Sequence, residues 1–243
     1  MRDLDQDQDD HAPAESGAAR NSRLSRRQVM TATAVAAGVG MVSVPAAADA
    51  ATGAPAVSLG EPGTTTVEFR GRITQSGSSG QRFTGYGFLI RASQAQSGAL
   101  FDGTPPSAST ALLTMYATGD LEARVLDMSV HSLDIAGALT VYQRSHPGAS
   151  FGDPSSFQVG TPVARYDLTL QDVLAVYAAG KGLPTLTGDM RQTAAAALSG
   201  PLAGKTFGRV GTRLRMFASG LGVLTDPVKL NSQLELAGNW SIE

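Results

Sequence analysis

From Val67 to Ile73 the apolar side chains fall on odd positions (Val67, Phe69, Ile73) and the charged ones on even positions (Glu68, Arg70, Arg72). That is the period of a strand with one buried face. Residues 75–80, rich in Ser and Gly, read as a turn, and 82–91, with Phe83, Tyr86, Phe88, Leu89 and Ile90, as the second strand of a hairpin. Gly85 and Gly87 share the face of Phe83 and Leu89, which marks a sharp bend or a place that must stay empty.

Residues 110–118 form a short apolar run that reads as a buried strand, turned by Gly119 and Asp120. Along 121–133 the alternation slips once: Ala123 and Val125 face one way, then Leu126, Met128 and Val130 the other, as at a bulge. Residues 138–144 add a strand. From 163 the even positions Ala164, Tyr166, Leu168 and Leu170 are apolar and the odd ones polar, again a strand.

Past Leu170 two readings stand. The strand continues, or a helix begins with Thr169 as cap, Leu170, Val173, Leu174 and Tyr177 on one face, and Gly180 as stop. Residues 186–198 are drawn toward helix by the alanines at 194–197 and toward strand by their neighbours and Gly188. Alternation returns over 207–219, and 228–242 closes the chain with the single Trp240. The 17 residues of 93–109 exceed the usual connection of ~4–6 and make a candidate lid or rim.

Eight strands, up to nine, joined mostly by short turns predict an all-β domain over 64–243. Closure into an antiparallel barrel removes the edges of such a meander, and a two-sheet sandwich is the alternative. A barrel of about eight strands has room for its own side chains or for one small ligand.

The first 63 residues have a different character. Arg26 and Arg27 precede a weakly apolar stretch, 31–44, that ends in a small-residue cleavage pattern at Ala48, Asp49 and Ala50. This order is that of a twin-arginine export signal, and 14 apolar residues are too few for the ~20 of a spanning helix. The expectation is a disordered n-region plus signal over 1–50, cleavage near Ala50, a flexible arm over 51–63, and a secreted or extracytoplasmic domain without a stable membrane anchor. Residues 1–50 hold five basic and seven acidic residues, which accounts for the whole formal net charge of -2 and leaves 51–243 neutral. A neutral domain with scattered cations lacks the clustered positive face of a nucleic-acid or polybasic membrane surface. With no cysteine, thiol catalysis, thiolate metal sites and disulfides are excluded.

The sequence contains no nucleophile elbow, phosphate loop or dinucleotide fingerprint. Only His131 and His146 lie beyond residue 50, neither with a second histidine at metal spacing, so neither a metal nor a cofactor is expected. His131 lies in phase with Asp127 and Ser129, although positions two apart on a strand are ~6.5–7 Å apart, too far for a direct relay. Arg213 and Arg215 suit either an anion or solvent. Tyr86, on the face of Phe88 and Ile90, and Tyr166, on the face of Ala164 and Leu168, must each place a hydroxyl if buried. Glu68 or Asp127, if inward, would serve as base beside them.

Residues 208–220 (Gly208, Gly211, Ala218 and Gly220 among them) resemble the glycine-rich strand of the dirigent and allene oxide cyclase superfamily. Residues 97–101, 137–142 and 236–239 fit the same pattern in order. The resemblance implies an eight-stranded barrel, often oligomeric, whose cavity steers cyclisation or radical coupling of a small apolar molecule without a cofactor. Glu68 is the nearest match to a first-strand glutamate of the plant cyclases. The acidic, basic and proline-containing turn that follows there is replaced here by 75–81. Three functions stand at this stage: a cofactor-free cyclase or isomerase, a module that only binds a lipid or secondary metabolite, and a structural barrel with a filled interior. Bulky side chains across from Gly85 and Gly87 favour the last; an open cavity with an inward carboxylate favours the first.

Overall fold

The computed structural model describes residues 57–58, 64–93 and 95–243; the expected signal segment, most of the expected arm and residue 94 lie outside them. The strands are β1 (Val57–Ser58), β2 (Thr65–Ser76), β3 (Arg82–Ala92), β4 (Leu113–Asp127), β5 (Val130–Gln143), β6 (Thr161–Ala178), β7 (Lys181–Ala195), β8 (Lys205–Thr206), β9 (Arg213–Asp226) and β10 (Asn231–Ile242). Eight of them close an antiparallel barrel in the order β10-β2-β3-β4-β5-β6-β7-β9, while β1 and β8 form a short parallel pair outside it. The barrel, not the sandwich, is the fold.

Alternation decides what enters the barrel. Along β6 the buried side chains are the even ones, from Ala164 to Asp172, and the odd ones are exposed, so the strand reading holds through 170–178 and the helical alternative is overruled. β7 likewise runs as a strand through Ala194 and Ala195, because pairing with β6 and β9 outweighs the ~0.5 kcal/mol per residue at stake in helix propensity.

Two local readings are corrected. Gly119 and Asp120 do not turn the chain; β4 passes straight through them, and the turn falls at Met128 and Ser129, inside the stretch expected to be one strand over 121–133. The bulge exists, but its register shift lies between Leu121 and Ala123. It moves the inward side from odd to even positions, turning Arg124 and Leu126 toward the barrel mouth.

Gly119 instead faces Gly137 across β4 and β5. A Cβ on Gly137 would stand 2.6 Å from Gly119 Cα and inside contact distance of the Thr118 carbonyl oxygen. The glycine pair thus lets two backbones approach where the sheet curls. Gly137→Val is expected to cost about 1–3 kcal/mol, more than stiffening the unfolded chain returns. A urea titration that finds the variant as stable as wild type would remove close approach as the reason for glycine.

The long connections lie at one end. Residues 196–207 plug it: Leu198, Leu202 and Phe207 are buried, and Gln192 holds the segment by donating to the Phe207 carbonyl (2.7 Å) and accepting from Arg209 N–H (3.0 Å). Trp240, fully buried, packs there against Tyr166 and Phe69 at 5.7 and 5.9 Å between ring centroids. The 93–109 connection also sits at this closed end, where Leu100 is buried in the core, so it is neither lid nor rim. Among the described residues the other end carries only hairpin turns and is open.

Candidate functional site

At the open end the inward side chains form a cup of about 200 Å³. Its wall is apolar, with Leu126, Leu133, Leu174, Leu224 and Leu234, and its polar groups come from six strands: Gln75, Arg124, His131, Asp172, Lys181 and Ser232. A second, apolar cavity of about 60 Å³ lies deeper, beside Gly85, and Phe83 lines both. Above Gly87, Met115 fills the interior, its Cε within 2.9 Å of where a Cβ would stand. The barrel is therefore packed at the closed end and through part of the middle, and hollow toward the mouth.

Most polar groups of the cup are already engaged. Gln75 donates to the Gly80 carbonyl (2.6 Å) and accepts from the Ser232 hydroxyl (2.8 Å). Arg124 donates to the carbonyls of Ser79 (3.0 Å) and Gly80 (3.1 Å), tying the β2–β3 turn to the rim. Half-buried His131 stands one inward position nearer the mouth than Leu133, the cross-strand partner of Asp172.

Asp172 differs. It lies on the floor of the cup, 3 % exposed, and its Oδ1 has no hydrogen-bond partner. Burial pushes its carboxyl up to about 7, against the opposing effect of the Thr185 backbone N–H. Such a group near neutral pH gives or takes a proton readily, and when protonated donates a hydrogen bond to an oxygen in the cup.

The four site residues expected from the sequence are not brought together. Tyr166 does face the interior, but at the closed end, packed on Trp240, where burial raises its hydroxyl far above the ordinary range. Tyr86 is buried on the outer face, beneath the 149–158 segment, with Phe157 and Phe151 at 5.4 and 5.9 Å. Neither tyrosine lines the cup. Glu68 points outward and pairs with Arg91 at 3.1 Å, since Val67 and Phe69 take the inward positions. Asp127 is exposed next to the β4–β5 turn. The base role proposed for Glu68 and Asp127 thus fails on orientation. Arg215 is also on the outside, paired with Asp189 at 3.1 Å.

Comparison of the chain with protein-family models, curated proteins and solved structures finds no match. What the cup can do follows from its own groups. Among the described residues no cluster of three or more His, Cys, Asp or Glu is gathered as a metal would need. The signal that points to Asp172 was present in the alternation: if even positions face inward from Ala164 to Leu170, the next inward residue is Asp172.

Proposed function

We propose that this protein is a cofactor-independent barrel that holds one small, largely apolar molecule in the cup and presents its polar group to the Asp172 carboxyl. Proton transfer through that carboxyl would then isomerise or cyclise the bound molecule. The observation that carries the reading is the unpaired, buried Oδ1 at the floor of an apolar hollow. A barrel with a merely structural interior gains nothing from a carboxyl there, because burying one whose only partner is the Thr185 backbone N–H still costs stability. The volume fits the size class, since a cavity of about 150 Å³ already accepts benzene. The likeness of residues 208–220 to the dirigent and allene oxide cyclase strand favours the same chemistry, with Asp172 in place of Glu68. Export through the arginine pair at 26–27 is part of the same proposal and sets the ligand outside the cytoplasm.

Native mass spectrometry of the protein from its own host's exported fraction, followed by denaturing extraction, tests this. A stoichiometric small molecule is expected. Asp172→Leu should lower its occupancy about tenfold or more, the loss of one hydrogen bond to an ionisable group. Leu174→Trp, which fills the cup, should abolish it. An empty barrel that also fails to bind metabolite mixtures would leave the structural reading in its place.

A further inference from the structure

The large apolar side chains exposed among the described residues are not scattered. All but Val159, Val210 and Phe217 lie at the mouth end. On the outer wall Val130, Ala175 and Leu183 are cross-strand partners in a row over β5, β6 and β7. Leu221 continues the row on β9, next to Gly222, which pairs with Gly182. Tyr177 and Val223, 59 % and 50 % exposed, extend it toward the rim.

Two turn tips complete this surface. Met128 is 94 % exposed and Val228 89 %. They join β4 to β5 and β9 to β10, four strands apart either way round the barrel, and so stand on opposite sides of the mouth. Met128 moreover has a φ of 46°, a left-handed position where Gly or Asn is less strained. Neither the turn nor the core explains a methionine there. The β2–β3 turn, across the mouth from the apolar wall, is made of Gly, Ser and Gln.

The apolar surface therefore folds over an edge, from the outer wall of β5 to β9 onto the rim. A second rigid barrel would cover the wall or the rim, whereas a fluid layer covers both when the barrel leans onto it with the β2–β3 side in water. Lys181 lies at the β6–β7 turn of the leaning side, where its ammonium reaches phosphates, while Lys229, in the β9–β10 turn, stands 3.8 Å from the Asp226 carboxylate. The barrel does not span such a layer. Arg165, Asp167, Thr169 and Gln171 expose a polar wall below, and the band from Val173 to Tyr177 is only about 13 Å tall against the ~25 Å of a transmembrane barrel.

We propose that the mouth end is a docking face for a lipid surface, with Met128 and Val228 inserting among the acyl chains on either side of the cup opening. An apolar ligand then passes between lipid and cup without crossing water. The docking rests on the outer surface and stands apart from what occupies the cup.

Flotation of the full chain with vesicles of phosphatidylcholine, with and without phosphatidylglycerol, tests it. The wild type is expected in the lipid layer, and Met128→Asp with Val228→Asp should reduce its partitioning about a hundredfold, roughly tenfold per tip. Neither tip belongs to the core or the cup lining, so an unchanged thermal melt is expected for the double variant. Met128→Ser with Val228→Ser, which adds no charge, should show the same direction of effect. A wild type that stays in the aqueous layer overturns the proposal, as does a double variant that floats like wild type. A dimer dissociated by Leu183→Asp, without flotation, gives the face to a second copy and overturns it too.

Discussion

Asp172→Asn is expected to stabilise the protein at pH 8 and to change it little at pH 4. The native carboxyl is held up to about 7 by burial, against an ordinary value of 3.8. Between these two values the native state keeps a proton that the unfolded chain has released. Wild-type stability therefore falls as pH rises from about 4 to 7, and stays at its lower level above that. The difference, about three pKa units, corresponds to roughly 4 kcal/mol. Asparagine resembles the protonated form and cannot ionise, so it should flatten this slope and raise Tm at pH 8 by about 10 °C. Thermal melts of both proteins from pH 4 to 9 provide the check. Parallel profiles would mean that the carboxyl is not held in an apolar site, which would also withdraw its proton-transfer role. A cost of this size at one residue is what a functional site tolerates and a packed core does not.

The second large effect belongs to the closed end. Trp240→Ala should cost about 3–5 kcal/mol, because the indole is fully buried and touches the rings of Phe69, Tyr166 and Phe207, the last at 6.4 Å between centroids. The same indole carries a buried Nε1–H with no partner. Trp240→Phe removes that donor while keeping most of the ring, so it should cost less than about 1.5 kcal/mol. Circular dichroism in urea separates the two variants, since either one eliminates the only tryptophan fluorescence. Equal losses in both would show that the full indole volume, which a phenyl ring does not fill, and not aromatic contact alone, matters at this position.

Much of the barrel is legible from alternation alone. Val67 and Phe69 face inward with Glu68 outward, and the even residues of β6 face inward, as the pleat requires. The same rule carried past Leu170 reaches Asp172, but there Leu170, Val173, Leu174 and Tyr177 also fit a helix, and that ambiguity conceals an inward carboxyl. Tyr86 shows the opposite limit. Its face is correctly opposite to Phe83, yet it is apolar and buried because a distant segment, pinned by Arg144 donating to the carbonyls of His146 and Ser156, lies over it. No local period carries that information.

The order of polar and apolar side chains was enough to determine an all-β chain of eight or nine strands and the two faces of most of them, though not where β4 ends and β5 begins, because the pleat acts between neighbouring residues. Closure, the shift at Leu121 and Ala123 that turns Arg124 inward, and the gathering of the long loops at one end arise from pairings between residues far apart in sequence. Those pairings decided which face became the interior, left the other end hollow, and placed Asp172 rather than Glu68 or Asp127 at its floor.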